Sequence, residues 1–216
     1  QLASNNTALS KTILASEYQS SGRGRLDRSF EAAPQSALTF SIYLEPKVDK
    51  SEWSFLTPLA GLSVHEALHT LDPQVSVGIK WPNDLLISDK KFAGMIAQAT
   101  DKGVVLGIGI NVGMSQDELP VDNATSLSIE GFAILDRNEI LASIINHFEI
   151  NMQMWELDQS FLAAYRDASV TIGREVSVTI PGGEVIESKA VDISDTGALM
   201  LANGKEVTVG DVVHLR

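Results

Sequence analysis

Apolar residues recur at two periods along this chain, and the switches between them mark out its elements. Thr12 to Tyr18 reads as a strand that runs into a loop, Gln19 to Arg28. Ala37 to Leu44, rich in β-branched and aromatic residues, predicts a second strand. From Phe55 to Leu71 the spacing of Leu56, Leu59, Leu62, Ala67, Leu68 and Leu71 approximates a helix. Pro58 falls in its first turn, where a missing N–H does no harm. Three strands follow, Val75 to Lys80, Leu85 to Ile87 and Phe92 to Gln98. They are joined by Trp81-Pro82-Asn83-Asp84 and Ser88-Asp89-Lys90, and turns this short predict an antiparallel meander. Val104 to Val112 predicts one more strand.

A second helix is marked by Asp136 as cap and by Ile140, Leu141, Ile144, Ile145, Phe148 and Met152 on one side, with Glu139 in the capping-box position. A short third helix is expected from Gln159 to Asp167. Beyond Gly173 the texture changes to short strands between turn dipeptides: Val176 to Ile180, Val185 to Ile193, Ala198 to Leu201 and Glu206 to Val209, with a type I′ hairpin at Asn203-Gly204. A β module this short buries too little surface to stand alone and should dock on the rest. The expected fold class is α+β, with a mixed or antiparallel sheet and helices over residues 1–170 and a small β-barrel-like module over 171–216.

Composition narrows the function. With 16 Lys+Arg against 28 Asp+Glu the net charge is −12, which disfavours general nucleic-acid binding. There is no cysteine, so thiolate metal sites and cysteine nucleophiles are excluded, and a reducing cytoplasm suits the chain. No window of about 18 apolar residues is present to span a membrane. The first residue is Gln1, so the start is taken as trimmed. His65, His69, His147 and His214 form no triad; His65 and His69 sit i, i+4 on a helix surface, and no metal set is assigned.

Three clusters carry candidate chemistry. Gln19-Ser20-Ser21-Gly22-Arg23-Gly24-Arg25-Leu26-Asp27-Arg28 holds three arginines in six residues, with Gly22 and Gly24 allowing the backbone close to a ligand. It reads as an anion clamp for a polyphosphate or acyl phosphate, or as a solvated loop. In Lys80-Trp81-Pro82-Asn83-Asp84, Pro82 stiffens the turn, and Asn83 and Asp84 either close it or hydrogen-bond a nucleoside. Lys90 or Lys91 faces inward by alternation, where it would neutralise developing charge, or both sit on a surface hairpin. Gly107 and Gly109 share a strand face, leaving either a groove for a slender apolar ligand or a close-packing surface, and Asn111 lies at the end of that face.

Taken in order, these clusters resemble the biotin–protein ligases. The matching segments are Glu17-Tyr18-Gln19-x-x-Gly22-Arg23-Gly24-Arg25, Lys80-Trp81-Pro82-Asn83-Asp84-Leu85, Lys91-x-Ala93-Gly94, Gly107-x-Gly109-Ile110-Asn111-Val112 and Ala124-Thr125-Ser126-Leu127. The resemblance implies a class II synthetase-like catalytic domain followed by an SH3-like β-barrel. It also implies a two-step reaction: biotin and Mg-ATP give biotinyl-5′-AMP, and biotin then passes to a lysine of a biotin carboxyl carrier domain. Arg25 is the residue expected to retain the intermediate, Lys91 to reach the biotin carboxylate and phosphate, and Asp84 to orient the incoming amine. Biotin contacts fall on Ser4, Asn5, Asn6, Gln19, Gly22, Arg23, Gly24, Arg25, Lys91, Gly94, Gly107 and Gly109. Nucleotide contacts fall on Arg25, Arg28, Phe30, Lys80, Asn83, Asp84 and Asn111.

The chain departs from the family pattern at Ser4-Asn5-Asn6, where Ser-Thr-Asn is usual, and at Asp27 and Phe30, where Gly and Trp are common. No helix-turn-helix segment that would bind DNA is present in the chain, which predicts a monofunctional ligase, with a homodimer possible. The competing readings are a lipoate or octanoate ligase of the same superfamily and a non-catalytic biotin or nucleotide sensor.

Overall fold

The computed structural model describes residues 9–23, 29–32 and 34–215. Its first sheet has six strands: β1 (Thr12–Ser16), β4 (Ala37–Leu44), β5 (Gly78–Lys80), β6 (Asp84–Ile87), β7 (Lys90–Ala99) and β8 (Val104–Asn111). They run in the order β1-β4-β8-β7-β6-β5, each antiparallel to its neighbours, so the expected meander occupies one half of the sheet. The segment expected as a loop after Tyr18 instead forms a two-stranded hairpin, β2 (Gln19–Arg23) with β3 (Ser29–Ala32).

Alternation in β8 sorts the two faces of this sheet. Leu106, Ile108 and Ile110 are buried, while Val105, Gly107 and Gly109 are only partly so. The buried side takes α1 (Leu56–Leu71) and α2 (Arg137–Glu156). Gly61 lets α1 approach closely, since a Cβ there would already touch Met95 Sδ at 3.6 Å. Asp136 caps α2 by accepting the Asn138 amide at 2.8 Å. Backbone amides of Asn138 and Glu139 hold its carboxyl below the usual carboxylate range.

The third helix, α3 (Leu162–Asp167), begins three residues later than expected, and the strand expected from Val75 is confined to Gly78–Lys80. Residues after α3 then line the β5 edge: Ile79 donates to the Ala168 carbonyl at 2.9 Å and Val170 donates to the Ile79 carbonyl at 2.9 Å. Gly78 is required there, because a Cβ would stand 2.1 Å from Val170 Cγ1.

The second sheet comprises β9 (Glu175–Thr179), β10 (Val185–Ile193), β11 (Leu199–Leu201), β12 (Glu206–Val207) and β13 (Asp211–His214), in the order β12-β11-β10-β9-β13. β13 was not anticipated from the sequence. Among the described residues the outer strands β12 and β13 do not pair with each other, so the module is an open small β domain and not a closed barrel. The Asn203-Gly204 turn is not type I′, which needs positive φ at both residues. Only Gly204 has it (φ +82°), the Gly204 amide bonds the Leu201 carbonyl, and Asn203 Oδ1 accepts the Lys205 amide. One contiguous apolar cluster contains Leu59 and Phe92 from the first part and Val178 and Leu199 from the second.

Candidate active site

An irregularity in β7 builds the centre of the site. In the β6–β7 ladder Leu85 pairs with Ala93 but Leu86 pairs with Lys91, leaving Phe92 as an extra residue. Phe92 and Ala93 both join the apolar core, consecutive residues that the extra position lets turn the same way. Three positions apart, Lys91 and Gly94 would otherwise lie on opposite faces; the bulge brings them together. Lys91 Nζ sits 2.6 Å from Asp84 Oδ1, with the Lys91 side chain 43% exposed and that of Asp84 18%.

Asp84, Gly94, Gly109 and Thr39 are successive register partners across β6, β7, β8 and β4, so they form a row on the face turned away from α1. The next row is Ile96, Gly107 and Ser41. Gly94 and Gly109 thus leave bare backbone beside the Lys91–Asp84 pair. A Cβ on Gly94 would lie 3.0 Å from Lys91 Nζ and 3.2 Å from Asp84 Oδ1. The glycine face is not the one packed by helix α1, which contacts Met95 on the other side.

The backbone of Lys91 is pinned on both sides. Its amide donates to the Asn123 carbonyl at 2.9 Å, and its carbonyl accepts the Thr125 amide at 2.8 Å. Asn111 is buried and its Nδ2 donates to the Thr125 carbonyl at 3.0 Å, so it anchors the same segment. Thr125 Oγ1 donates to Glu130 Oε1 at 2.7 Å, fixing the segment from below. At the Lys80–Asp84 turn, Asn83 Nδ2 donates to the Met95 carbonyl and the Met95 amide donates back to the Asn83 carbonyl, both at 3.0 Å. Lys80 stands opposite Asp84 in the β5–β6 register.

The structure therefore brings Asp84, Lys91, Gly94, Gly107 and Gly109 onto one face and puts Lys80, Asn83 and Asn111 at its margins. Gln19, Gly22, Arg23 and Phe30 lie in the β2–β3 hairpin, where Gly22 pairs with Phe30 and Gln19 with Ala32. The hairpin is rooted by the Gln35 amide donating to the Glu17 carbonyl and by Arg137, which holds Glu17 Oε2 at 2.7 Å. Ser4, Asn5, Asn6, Gly24, Arg25 and Arg28 fall outside the described residues.

Sequence reasoning gave Trp81 no role beyond an extended residue before proline. Its ring is buried, and Nε1 donates to the Gly197 carbonyl of the small β domain at 3.0 Å. Its signal was available, since an indole in a polar turn needs an apolar cover. His65, expected on the helix surface with His69, instead places Nδ1 2.9 Å from the Val77 carbonyl, and burial lowers its pKa. A surface hollow of about 430 Å³ lined by Gln74, Ser76, Asp89 and Glu130 includes none of Asp84, Lys91 or Gly94.

Comparison with known proteins identifies relatives of the chain. The model of the "Biotin/lipoate A/B protein ligase family" matches residues 3–115, and that of the "Biotin protein ligase C terminal domain" matches residues 171–215. A biotin--[acetyl-CoA-carboxylase] ligase of Mycobacterium tuberculosis is 38% identical over 99% of this chain and 83% of its own length. The bifunctional ligase/repressor BirA of Bacillus spizizenii is 30% identical over 91% of this chain, which spans 63% of that longer protein. Among solved structures, the biotin protein ligase from Aquifex aeolicus in complex with biotin and ATP superposes with a TM-score of 0.84 at 29% identity, covering 97% of this chain and 90% of that one. On these matches the chain belongs to the biotin/lipoate A/B protein ligase family.

Proposed function

We infer that this chain is an ATP-dependent biotin–protein ligase acting on a biotin carboxyl carrier domain. The observation that carries the reading is the placement of one cation, Lys91, beside a strip of backbone without side chains, in a chain whose relatives bear that activity by name. A biotin carboxylate oxygen attacks the α-phosphorus of ATP and pyrophosphate leaves. A carrier lysine amine then attacks the acyl carbon, AMP leaves, and the amine loses a proton.

In this reading biotin lies over Gly94, Gly107 and Gly109, with its carboxylate toward Lys91. The Lys91 ammonium stabilises charge that develops at the carboxylate and phosphate, and the pinned backbone keeps it there without reorganisation. Asp84 holds that ammonium in place and accepts a hydrogen bond from the incoming amine. The segment from Gln19 to Arg28, whose sequence carries Gln19, Arg23, Arg25 and Arg28, serves as the clamp over the acyl-adenylate and keeps water from the anhydride. Lys80, Asn83, Asn111 and Phe30 border the nucleotide. Mg²⁺ enters on the ATP phosphates. A homodimer is a further expectation, read out by light scattering.

The match of residues 171–215 to a biotin protein ligase domain favours biotin over lipoate or octanoate. The test is pyrophosphate release from ATP and Mg²⁺ in the presence of biotin, followed by mass analysis of a carrier domain. Biotin-dependent release with a labelled carrier lysine is the expected result. Release with lipoate alone, or binding of biotin without release, would overturn it.

A further inference from the structure

We propose that Thr171 and His214 are positioning residues for adenylate formation, holding the Lys80–Asp84 turn from the side of the small β domain. The inference deepens the ligase reading and rests on it.

The edge of β5 is covered by the segment after α3, whose backbone takes both polar groups of Ile79. Two residues on, at Trp81, that backbone ladder stops and a side chain replaces it: the Trp81 amide donates to Thr171 Oγ1 at 3.0 Å. Thr171 is fully buried, and its hydroxyl lies 3.1 Å from His214 Nε2 on β13. A hydroxyl that accepts from an amide has its own hydrogen left to place, and a neutral imidazole nitrogen accepts it. Lys80 and Arg174 face the ring with positive charge and Asp89 with negative charge. Burial together with the two cations pushes the His214 pKa down to about 4, so at neutral pH the ring is neutral, and in its Nδ1–H tautomer Nε2 accepts that hydrogen.

The contacts then continue to the reacting centre. Trp81 is locked at its ring as well, through Nε1 to the Gly197 carbonyl at 3.0 Å. The residues on either side of the locked tryptophan and its proline are Lys80 and Asn83-Asp84, and Asp84 grips Lys91 at 2.6 Å. Freeing the Trp81 amide therefore loosens the turn that holds the ammonium, while the glycine strip on β7 and β8 keeps its own ladders.

Thr171→Val removes the hydroxyl and keeps the side-chain shape; Thr171→Ser keeps the hydroxyl; His214→Phe removes the acceptor at a half-buried site. Two readouts are taken alongside the melting temperature: single-turnover adenylate formation from biotin and Mg-ATP, and amide hydrogen exchange at Trp81–Asp84 in the protein without ligands. Thr171→Val and His214→Phe are expected to slow adenylate formation about tenfold, the usual effect of one lost buried hydrogen bond, and to speed exchange at Trp81, Asn83 and Asp84 similarly. Thr171→Ser is expected to restore both. Retention of the parent rate and of protected Trp81–Asp84 amides in either removing variant overturns the proposal, as does a loss of melting temperature with adenylation unchanged. If the parent chain forms no adenylate, the ligase reading fails, and the exchange data alone still decide whether Thr171 and His214 hold the turn. Should Thr171→Val fail to fold, His214→Phe decides.

Discussion

Replacing Gly94 with alanine puts a single methyl group at the narrowest point of the candidate site. Its carbon would stand 3.0 Å from Lys91 Nζ, 3.1 Å from Lys91 Cε and 3.2 Å from Asp84 Oδ1. Contacts at 3.0–3.2 Å are tighter than ordinary van der Waals contact, so the ammonium must retreat by a few tenths of an ångström. The lysine end is free to rotate, whereas Asp84 is set at the turn and the strand backbone is laddered on both sides. The fold should therefore survive at a cost of about 1 kcal/mol, the low end of overpacking. Catalysis should suffer as well, since misplacing a reacting group by about 1 Å costs on the order of 10²-fold in rate. A shift of a few tenths of that distance makes adenylate formation about 3- to 10-fold slower, on the order of 0.7–1.4 kcal/mol of barrier. Biotin-dependent pyrophosphate release under single-turnover conditions measures the rate, and urea unfolding measures the fold. A variant that matches the parent rate with the parent midpoint would show that Lys91 does not work where it stands.

Lys91→Ala should slow adenylate formation by about 10²-fold or more, the scale of losing one preorganised charge donor, with little change in urea midpoint; a parent-like rate removes Lys91 from the mechanism. Gly78→Ala is the converse case, because its methyl would meet Val170 Cγ1 at 2.1 Å: a loss of about 1–3 kcal/mol in urea stability is expected, and an unchanged midpoint would refute the close approach. His214 has a folded pKa of about 4 against an ordinary value of 6.5, so the unfolded chain binds the extra proton between these pH values. Its contribution is complete above pH 6.5 and is lost as pH falls toward 4; after discounting for the exposed part of the ring, it amounts to about 1–2 kcal/mol. The stability gap between the parent and His214→Gln should accordingly shrink from pH 7 to pH 4.5 in urea titrations, and a gap that widens would contradict the assignment. Arg25→Ala should leave melting intact while adenylate escapes and carrier labelling falls; undiminished labelling would exclude Arg25 as the retaining group.

Elements whose pattern was repeated many times were legible in the sequence. The strand at Ala37–Leu44 and the one at Val185–Ile193 have the bounds the sequence suggests, and the first helix starts one residue late. What escaped was decided by contacts distant along the chain. β13 has four residues, too few for alternation to signal, and exists because β9 offers it an edge. The hairpin after Tyr18 is rich in Ser, Gly and Arg, which read as loop until the two halves pair. Alternation also could not say which lysine of Lys90-Lys91 faces the glycines, since the answer depends on the bulge at Phe92. The glycine row was half visible: Gly107 and Gly109 announce themselves by spacing, but Gly94 joins Gly109 only through the β7–β8 register.

The burial of Trp81 has a consequence for heat denaturation. With its indole clasped by Gly197, with Phe55 meeting the same glycine, and with apolar side chains from both halves in one uninterrupted cluster, neither half has a surface at which it could melt first. A calorimetric scan should give a single endotherm whose van't Hoff and calorimetric enthalpies coincide. A fragment ending at residue 170 should resemble a molten globule, binding hydrophobic dye and showing weak near-ultraviolet dichroism.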